Sequence, residues 1–474
     1  MKRQEFLSTI SIITSTFIFP ISFPDLITKS EKPNILFILT DDQRWDAISC
    51  MGNKILMTPH IDRLAREGTL FEQAFVTTSI CMASRASIMT GVFERRHGCN
   101  FHSGDLHPSI FAMSYPVLLR QSGYYTGFIG KMGFVVSKEK VKHSWNQLES
   151  FGNKEFDWWR GFPGQGEYFP TEANGKHLTK IIATQSIKFL NSCPSNKPFC
   201  LSISFKAPHA PFTPDPSYRN YYKNVTIPSP VTTDKKYFKR LPSCVQKIMQ
   251  NGAVYDFAKQ WFSTPELYQK TVKDYYRLIM GVDEAIGEIR EHLKKLKYDE
   301  NTIIIFSSDN GFLMTEHGLV GKALLYEESI RVPLIIYGPR VPKSARGQRR
   351  NELVLNIDIA PTILSAAGVE IPEFMQGKNL MPLVWGEKIK WRKEIFCENL
   401  YKHKLRPYPL CEAVRTKRWK YICYSDQKPI VEELFDLKND PLEIENLVNN
   451  KKYRQTLKSL RKRRDELLQQ AKGK

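Results

Sequence analysis

The sequence predicts an α/β protein in which a mostly parallel sheet is covered by helices and is followed by a small α+β subdomain. Two patterns support this fold class. Short apolar runs alternate with helical stretches, and after about residue 390 short strands and a charged helix replace that alternation. A chain of 474 residues with 42% hydrophobic and 12% aromatic residues can fill a large core. We therefore expect one large domain over residues 29–390 and a smaller one over residues 391–474.

Polar residues follow the strands of the predicted sheet. Asn34–Thr40 is a continuous apolar run that ends at two acidic residues, as a buried parallel strand would. The other predicted strands are Tyr124–Ile129, Phe199–Phe205, Thr302–Ser307 and Val332–Tyr337, with helices at Tyr115–Gln121 and Asp274–Lys295. The polar residues that follow predicted strands include Asp41, Asp42, Lys131, His209, Asp309 and Asn310. Since ligands gather at the carboxyl ends of strands in such sheets, we expect a site there.

Two further helical stretches end at glycine. Ile61–Glu67 and Ala83–Thr90 have helical spacing and stop at Gly68 and Gly91, which suit C-terminal caps. Cys81 is then expected just before the second helix, where backbone N–H groups and the helix dipole favour an anion. A cysteine taken alone is more often a buried apolar residue than a nucleophile.

Two pairs of hard oxygen donors lie at predicted strand ends. Asp41-Asp42 alone suits a turn or a helix cap, and Asp309-Asn310 before a glycine alone suits a tight turn. Together in one sheet, they are ligands that suit calcium or magnesium rather than zinc. The nine cysteines, at positions 50, 81, 99, 193, 200, 244, 397, 411 and 423, lack the tight paired spacing of a zinc site or a small disulfide scaffold.

The N-terminal segment has features of a secretory signal. Two basic residues precede a mainly apolar and hydroxylated stretch from Phe6 to Phe23, and no convincing second membrane span follows. We predict a signal peptide over residues 1–28 and an exported protein, periplasmic or secreted, with no stable membrane span. Because a clear small-x-small cleavage site is lacking, an uncleaved anchor is the alternative. An odd number of cysteines leaves at least one unpaired in an exported chain, and Cys81 is the candidate.

The formal net charge of +20 favours anionic partners, which include nucleic acid, acidic lipid and sulfated glycans. No basic-aromatic nucleic-acid module is apparent, so we expect no nucleic-acid partner. The densest basic run, Lys451–Lys474, is interpreted as the solvated face of a terminal helix. Charge alone does not choose among the remaining partners.

The segment C-M-A-S-R, which begins at Cys81 and continues as A-S-I-M-T-G, resembles the signature of the type I sulfatase family. In that family a maturation enzyme reads Cys-x-Pro/Ala-Ser-Arg and oxidises the cysteine to formylglycine. Most members carry proline where this chain has Ala83. The resemblance extends in the family's order from Pro33 through Leu447, over P-N-I-L-F-I-L-T-D-D-Q, T-P-H-I-D-R-L-A-R-E-G, S-S-D-N-G, E-H-G-L-V-G-K, R-V-P-L-I-I and E-L-F-D-L-K-N-D-P-L-E-I-E-N-L.

The resemblance implies an alkaline-phosphatase-like α/β/α sandwich with a small C-terminal sheet, so residues 29–390 would form a sulfatase catalytic domain. It also implies one calcium ion and a formylglycine made from Cys81 by the maturation enzyme. The implied metal ligands are Asp41, Asp42, Cys81, Asp309 and Asn310. The implied catalytic residues are Cys81, Arg85, Lys131, His209 and Lys322. Lys131 is assigned from the G-K-M-G segment, Lys322 from H-G-L-V-G-K and His209 from A-P-H-A-P.

The mechanism that the resemblance implies begins with attack of a formylglycine hydrate hydroxyl on sulfur, while His209 protonates the departing alcohol. Deprotonation of the second hydroxyl then expels sulfate, and Arg85 and the two lysines stabilise charge on the transferring group. The sequence departs from the family at one position. Where a histidine commonly stands two residues after the first lysine, this chain has Gly133, so no residue is assigned there. His97 and His317 are the open alternatives.

The substrate implied by the resemblance is a sulfated carbohydrate. The segment from Phe156 to Tyr168 resembles sulfatases that act on carbohydrates, with N-acetylglucosamine 6-sulfate as one candidate. The wider stretch Phe151–Pro170, like Pro208–Pro230, is predicted to be a long surface loop, a natural place for substrate selection. Its aromatic residues suit either stacking on sugars or packing within the loop. Two rival functions remain open, namely hydrolysis of phosphate mono- or diesters on the same fold and binding of sulfated glycans without catalysis.

Overall fold

The strands and helices of the protein alternate along the chain. The computed structural model describes residues 32–138, 148–162, 164–402 and 406–473, so the predicted signal peptide at residues 1–28 lies outside the described residues. The strands are β1 Asn34–Thr40, β2 Thr69–Phe71, β3 Ala74–Phe75, β4 Tyr125–Lys131, β5 Trp158–Phe162, β6 Phe199–Ser204, β7 Thr302–Ser308, β8 Leu313–Met314, β9 Val320–Gly321, β10 Leu334–Tyr337, β11 Gln348–Arg350, β12 Val354–Leu355, β13 Glu394–Asn399, β14 Cys411–Thr416, β15 Trp419–Tyr424 and β16 Val431–Asp436.

The helices vary in length from one turn to eight turns or more. They are α1 Pro59–Glu67, α2 Cys81–Thr90, α3 Glu94–His97, α4 Pro108–Phe111, α5 Tyr115–Gln121, α6 Leu148–Glu155, α7 Leu178–Ser192, α8 Lys235–Phe238, α9 Ser243–Gln246, α10 Ala253–Phe262, α11 Pro265–Lys295, α12 Glu327–Ile330, α13 Ile359–Ala366, α14 Met381–Val384 and α15 Arg454–Lys472. Within the described residues, none of these helices is both long and apolar enough to pass through a membrane.

The central sheet has eight strands in the order β11-β2-β10-β7-β1-β6-β4-β5. Strands β7, β1, β6, β4 and β5 run parallel, whereas β10 is antiparallel to both of its neighbours. Thr40 at the end of β1 pairs with Ser308 of β7, and Leu39 pairs with Ser204 of β6. The residues that follow these three strands therefore emerge together at one edge of the sheet.

Helices cover both faces of this sheet because its central strands are apolar on both sides. In β1, Phe37 and Leu39 pack in one buried cluster with α2, α5 and α13. Leu36 and Ile38 pack on the opposite face with α1, α7 and α11. Such double burial explains why β1 is a continuous apolar run rather than an alternating one. The α/β/α sandwich predicted from the sequence is confirmed.

The C-terminal subdomain is an antiparallel sheet in the order β13-β14-β15-β16 with α15 against it. Leu457 and Leu460 of α15 pack on Val414 and Leu434, while the other face of the sheet joins the main core. The α+β subdomain is thus confirmed, and most of the basic C-terminal run lies on α15. Sequence patterns did not predict β13, which pairs antiparallel with β14.

Two local predictions were wrong. Cys81 is the first residue of α2 rather than a residue before it, because Ile80 is extended and its carbonyl accepts the amide of Ser84 at 2.8 Å. The stretch from Phe151 to Pro170, expected to be a loop, contains the end of α6 and the edge strand β5. There Trp159 is buried and stacks on Phe128 with ring centroids 5.2 Å apart. Tertiary packing therefore decides the structure of this segment.

Candidate active site

Four side chains follow β1 and β7 and meet at one buried point. The Asp42 amide donates to Asp309 Oδ1 at 3.1 Å, and Asn310 Nδ2 donates to Asp42 Oδ1 at 2.6 Å. Asp41, Asp309 and Asn310 are fully buried. Asp42 adopts a left-handed backbone with φ of 65°, a conformation that aspartate tolerates better than most residues. The sequence-predicted metal ligands on these two strands are thus adjacent in space.

The oxygen atoms at this point suit a hard cation. One ligand atom from each of Asp41, Asp42 and His209 lies within 4.8 Å of the others. Asp41 Oδ1 and Asn310 Oδ1 are buried without a hydrogen-bond partner among the described residues. Buried oxygens are normally satisfied by a donor or a bound ion. A donor set of carboxylates and an amide oxygen, with at most one imidazole, fits calcium or magnesium.

Cys81 begins α2 and is only 2% exposed. Arg85 lies one turn later, where its Nε donates to Asp309 Oδ2 at 2.7 Å and its Nη1 donates to the Lys131 carbonyl at 2.8 Å and to Ser204 Oγ. Burial would lower the pKa of the guanidinium, but Asp309 and Asp41 raise it. Arg85 therefore stays charged and joins α2 to the ends of β4, β6 and β7.

The two lysines predicted from the sequence, Lys131 and Lys322, pair with carboxylates of the site. Lys131 Nζ donates to Asp41 Oδ2 and, at 2.6 Å, to Gln165 Oε1, while Lys322 Nζ donates to Asp42 Oδ1. Burial opposes the charge of Lys322, but Asp42 and Cys81 raise its pKa above the usual value. Burial likewise opposes ionisation of Asp41, yet Lys131 and the other nearby cations hold its pKa well below the usual range. The site therefore buries acidic and basic side chains next to one another, largely away from solvent.

His209 faces the same point from the loop after β6. Its Nε2 is 3.6 Å from Asp42 Oδ2, and its Nδ1 lies 2.5 Å from the Ala210 carbonyl, which orients the ring. Burial lowers the pKa of His209 to about 4, so the ring is neutral at pH 7 in the protein without ligand. The Tyr168 hydroxyl donates to the His209 carbonyl at 2.6 Å and holds the loop.

Gly133 has a backbone that disfavours other residues. Its φ is +83°, and a Cβ built there would lie 2.4 Å from Arg85 Cδ. His97 is not a substitute, because its ring nitrogens interact with Ser87 Oγ at 2.9 Å and the Cys99 amide at 3.0 Å. His317 stacks on Tyr326, and the charges that act on it come from the C-terminal subdomain. Neither histidine is hydrogen-bonded to Cys81 among the described residues, so no residue is assigned in place of the missing histidine.

Sequence reasoning missed two polar residues of this site, Lys206 and Gln165. Lys206 lies two residues after the end of β6 and is only 2% exposed. Burial lowers its pKa to about 8, and the charges that act on it include those of Asp41 and Cys81. Its position after a predicted strand was a usable signal. Gln165 lies in a loop after the edge strand β5, and no sequence pattern indicated that this loop reaches Lys131.

The cysteines form no disulfide in the structure, in which all nine are described and free. Seven of them are buried, including Cys81, and so pack as apolar side chains. Cys81 is therefore not set apart by being unpaired; the charged groups around it distinguish it instead.

Comparison with known proteins agrees with this geometry. The sulfatase family model matches residues 33–369, and the model for the C-terminal part of N-sulphoglucosamine sulphohydrolase matches residues 315–470. The chain is 30% identical to an N-acetylglucosamine-6-O-sulfatase of Bacteroides thetaiotaomicron, over 91% of this chain and 85% of that protein.

Solved structures share the fold. One, described as a complex with its substrate D-glucosamine-2-N,6-O-disulfate, superposes with a TM-score of 0.77 at 29% identity and covers 93% of this chain and 98% of its own. A phosphonate monoester hydrolase of Agrobacterium radiobacter also has a TM-score of 0.77, with 93% and 96% coverage, but at 22% identity it supports the fold alone. With the family model matched over most of its length, the chain belongs to the sulfatase family and is a sulfuric ester hydrolase.

Proposed function

We propose that the protein hydrolyses a sulfate ester of a carbohydrate with a nucleophile made from Cys81. The observation that carries the proposal is the convergence at one sheet edge of Cys81, three carboxylates and several buried cations. Cations fixed in a dry site stabilise the charge that develops on a transferring sulfuryl group. The position of Cys81 at the N-terminus of α2 adds backbone N–H groups to the same side.

A calcium ion fits the oxygen donors at this edge. Asp41, Asp42, Asp309 and Asn310 would hold it beside Cys81, and two of their oxygens lack a partner among the described residues. Such an ion supplies positive charge that polarises a sulfate oxygen. Burial and Asp41 raise the pKa of Asp309 to about 6, and a cation bound beside it would favour its ionised form.

Formylglycine at position 81 would be formed by a maturation enzyme of the kind that serves the family. Its hydrate would supply one hydroxyl for attack on sulfur and a second whose deprotonation would release sulfate and restore the aldehyde. Side chains of this chain bind the substrate and move the other proton. Arg85 orients the nucleophile from one helical turn away, and Lys131 and Lys322 bind sulfate oxygens. His209 donates a proton from Nε2 to the leaving oxygen once the anionic substrate has raised its pKa.

We propose a sulfated amino sugar as the substrate class, with N-acetylglucosamine 6-sulfate as the candidate. Support comes from the relatives whose names or bound substrate are of this kind. Three of the five aromatic residues between Phe156 and Tyr168 add no support, because Phe156, Trp159 and Tyr168 are at most 4% exposed and pack in the core. The other two, Trp158 and Phe162, are half-buried against that core. We also propose that the protein is exported, as the predicted signal peptide requires.

The first prediction concerns Cys81. Its replacement by alanine keeps Cβ but removes the thiol that must be oxidised to give the aldehyde, so sulfate release from N-acetylglucosamine 6-sulfate should fall to background. Ion chromatography of released sulfate measures this, and mass spectrometry of the tryptic peptide Glu67–Arg85 should show formylglycine in active wild-type protein. Cys193→Ala, at the end of α7, is the matched control and should stay active.

Two outcomes would contradict the proposal. One is full activity in protein whose Cys81 is unmodified. The other is a rate on N-acetylglucosamine 6-phosphate that equals or exceeds the rate on the sulfate ester, which would favour the phosphoesterase reading.

The second prediction concerns the metal. Calcium added to metal-free protein should raise the melting temperature, since a ligand at a hundredfold excess over its Kd stabilises the folded state by about 2.7 kcal/mol. Asp41→Asn should abolish most of this shift. Asp46→Asn, in the same loop but paired with Arg44, should preserve it. Equal shifts in both variants, measured by calorimetry, would place calcium elsewhere.

The third prediction concerns His209. A sugar alkoxide leaves poorly without a proton, whereas 4-nitrophenolate does not need one. His209→Ala should therefore slow hydrolysis of the sugar sulfate about 10²- to 10⁴-fold and that of 4-nitrophenyl sulfate less than about tenfold. His292→Ala, at the exposed end of α11, is the control for loss of a histidine. Equal losses on both substrates would rule out the leaving-group role.

The fourth prediction concerns Gly133. A side chain at position 133 should lower both stability and activity. Gly133→Ala combines a strained backbone with a close contact against Arg85, so it should lower the free energy of unfolding by about 1–3 kcal/mol. Gly123→Ala is matched, because its φ of +91° is similar but its added carbon meets nothing within 4 Å. Thermal unfolding and kcat should show the greater loss for Gly133→Ala. A Gly133→His variant that is stable and faster than wild type would refute this reading.

A further inference from the structure

Lys206 differs from the other buried lysines of the described chain. Three lysines are buried, namely Lys131, Lys206 and Lys420. Lys131 pairs with Asp41, and Lys420 pairs with Glu327 at 2.9 Å and with Glu443 at 2.6 Å. Among the described residues, no carboxylate lies at ion-pair distance from Lys206. A buried cation without a partner is strongly disfavoured unless a ligand supplies the missing charge.

The surroundings of Lys206 hold its amine in the active site. Its Nζ lies 5.0 Å from the centroid of the Tyr168 ring, and its hydrogen bond to the Ala210 carbonyl is long, at 3.4 Å. The Tyr168 hydroxyl is itself fixed by the His209 carbonyl. The charges that act on the amine are those of Asp41, Asp42, Lys131 and Cys81. The amine thus lies beside the loop that carries His209, and its one hydrogen bond among the described residues leaves donor capacity to spare.

The charges of the site leave Lys206 in excess. Its three carboxylates face three cations: Asp41 pairs with Lys131 and, at 3.6 Å, with Arg85, Asp42 pairs with Lys322, and Asp309 pairs with Arg85. Lys206 is a fourth cation with no counterpart, and any bound metal ion would add to the same excess. An anion is therefore the ligand that balances the site. No side chain extends from Gly133, where Arg85 occupies the adjacent space, so a further donor to that anion has to come from another element.

We propose that Lys206 binds the transferring sulfate group directly, as a fourth cation of the substrate site. This inference rests on the proposed function, because it concerns the sulfate group of the same ester. Lys206 donates hydrogen bonds from Nζ to a sulfate oxygen, and the face of Tyr168 orients the amine. Inorganic sulfate, which is the product, makes the same contact.

Kinetics of the matured calcium-bound enzyme test the proposal. Lys206→Met keeps the length of the side chain without its charge and should raise both KM for N-acetylglucosamine 6-sulfate and the inhibition constant of inorganic sulfate about 10- to 100-fold. Lys206→Arg should recover much of this loss. Lys458→Met, which removes the same charge from the exposed face of α15, is the matched control and should change neither constant.

Thermal unfolding separates this role from a structural one. Since Lys206→Met removes an unpaired buried charge, the variant should melt at the same temperature as wild type or about 1–3 °C higher. A melting temperature well below that of wild type, or an unchanged inhibition constant for sulfate beside a lowered kcat, would overturn the inference. If the wild-type enzyme itself releases no sulfate, that result contradicts the proposed function rather than the role of Lys206.

Discussion

Pairing of opposite charges at the carboxyl edge of the sheet is the constraint on which the active site depends. Three carboxylates are buried there, and each would be strongly disfavoured without a cation. Arg85 makes the most contacts of this kind, because its guanidinium hydrogen-bonds groups at the ends of three different strands. The helix that carries Cys81 and the strand ends that carry the acids are thereby held in one arrangement. Removing one partner would leave its counterpart buried and unpaired.

Much of the fold could be predicted because its signals are local. The bounds of β1 match the apolar run from Asn34 to Thr40, which is limited by proline before and aspartate after. The residues that follow the strand ends could also be identified from the sequence. The structure brings the acids, both lysines and His209 together, as expected. Their assigned roles stay predictions. The oxygen donors at two strand ends predicted calcium or magnesium, whereas the choice of calcium and the formylglycine came from family resemblance alone.

What could not be predicted depends on contacts across long sequence distances. Gln165 reaches Lys131 from the loop after β5, an edge strand on which Trp159 is buried. Burial also takes Phe156, Trp159 and Tyr168 out of reach of a sugar, a choice that residue types alone left open. Lys206 was visible in the sequence, yet only the structure reveals that no acid stands beside it. Gly133 likewise becomes intelligible only when the Arg85 side chain is seen to occupy the space beside it.

The burial of α2 has a consequence for the order of events in the life of the chain. Every residue from Cys81 to Thr90 is buried. If formylglycine is made from Cys81 as proposed, the maturation enzyme has to reach a segment that the folded chain encloses. On that proposal the oxidation would come before folding is complete, and a chain that folds with its cysteine unmodified would be well structured and inactive.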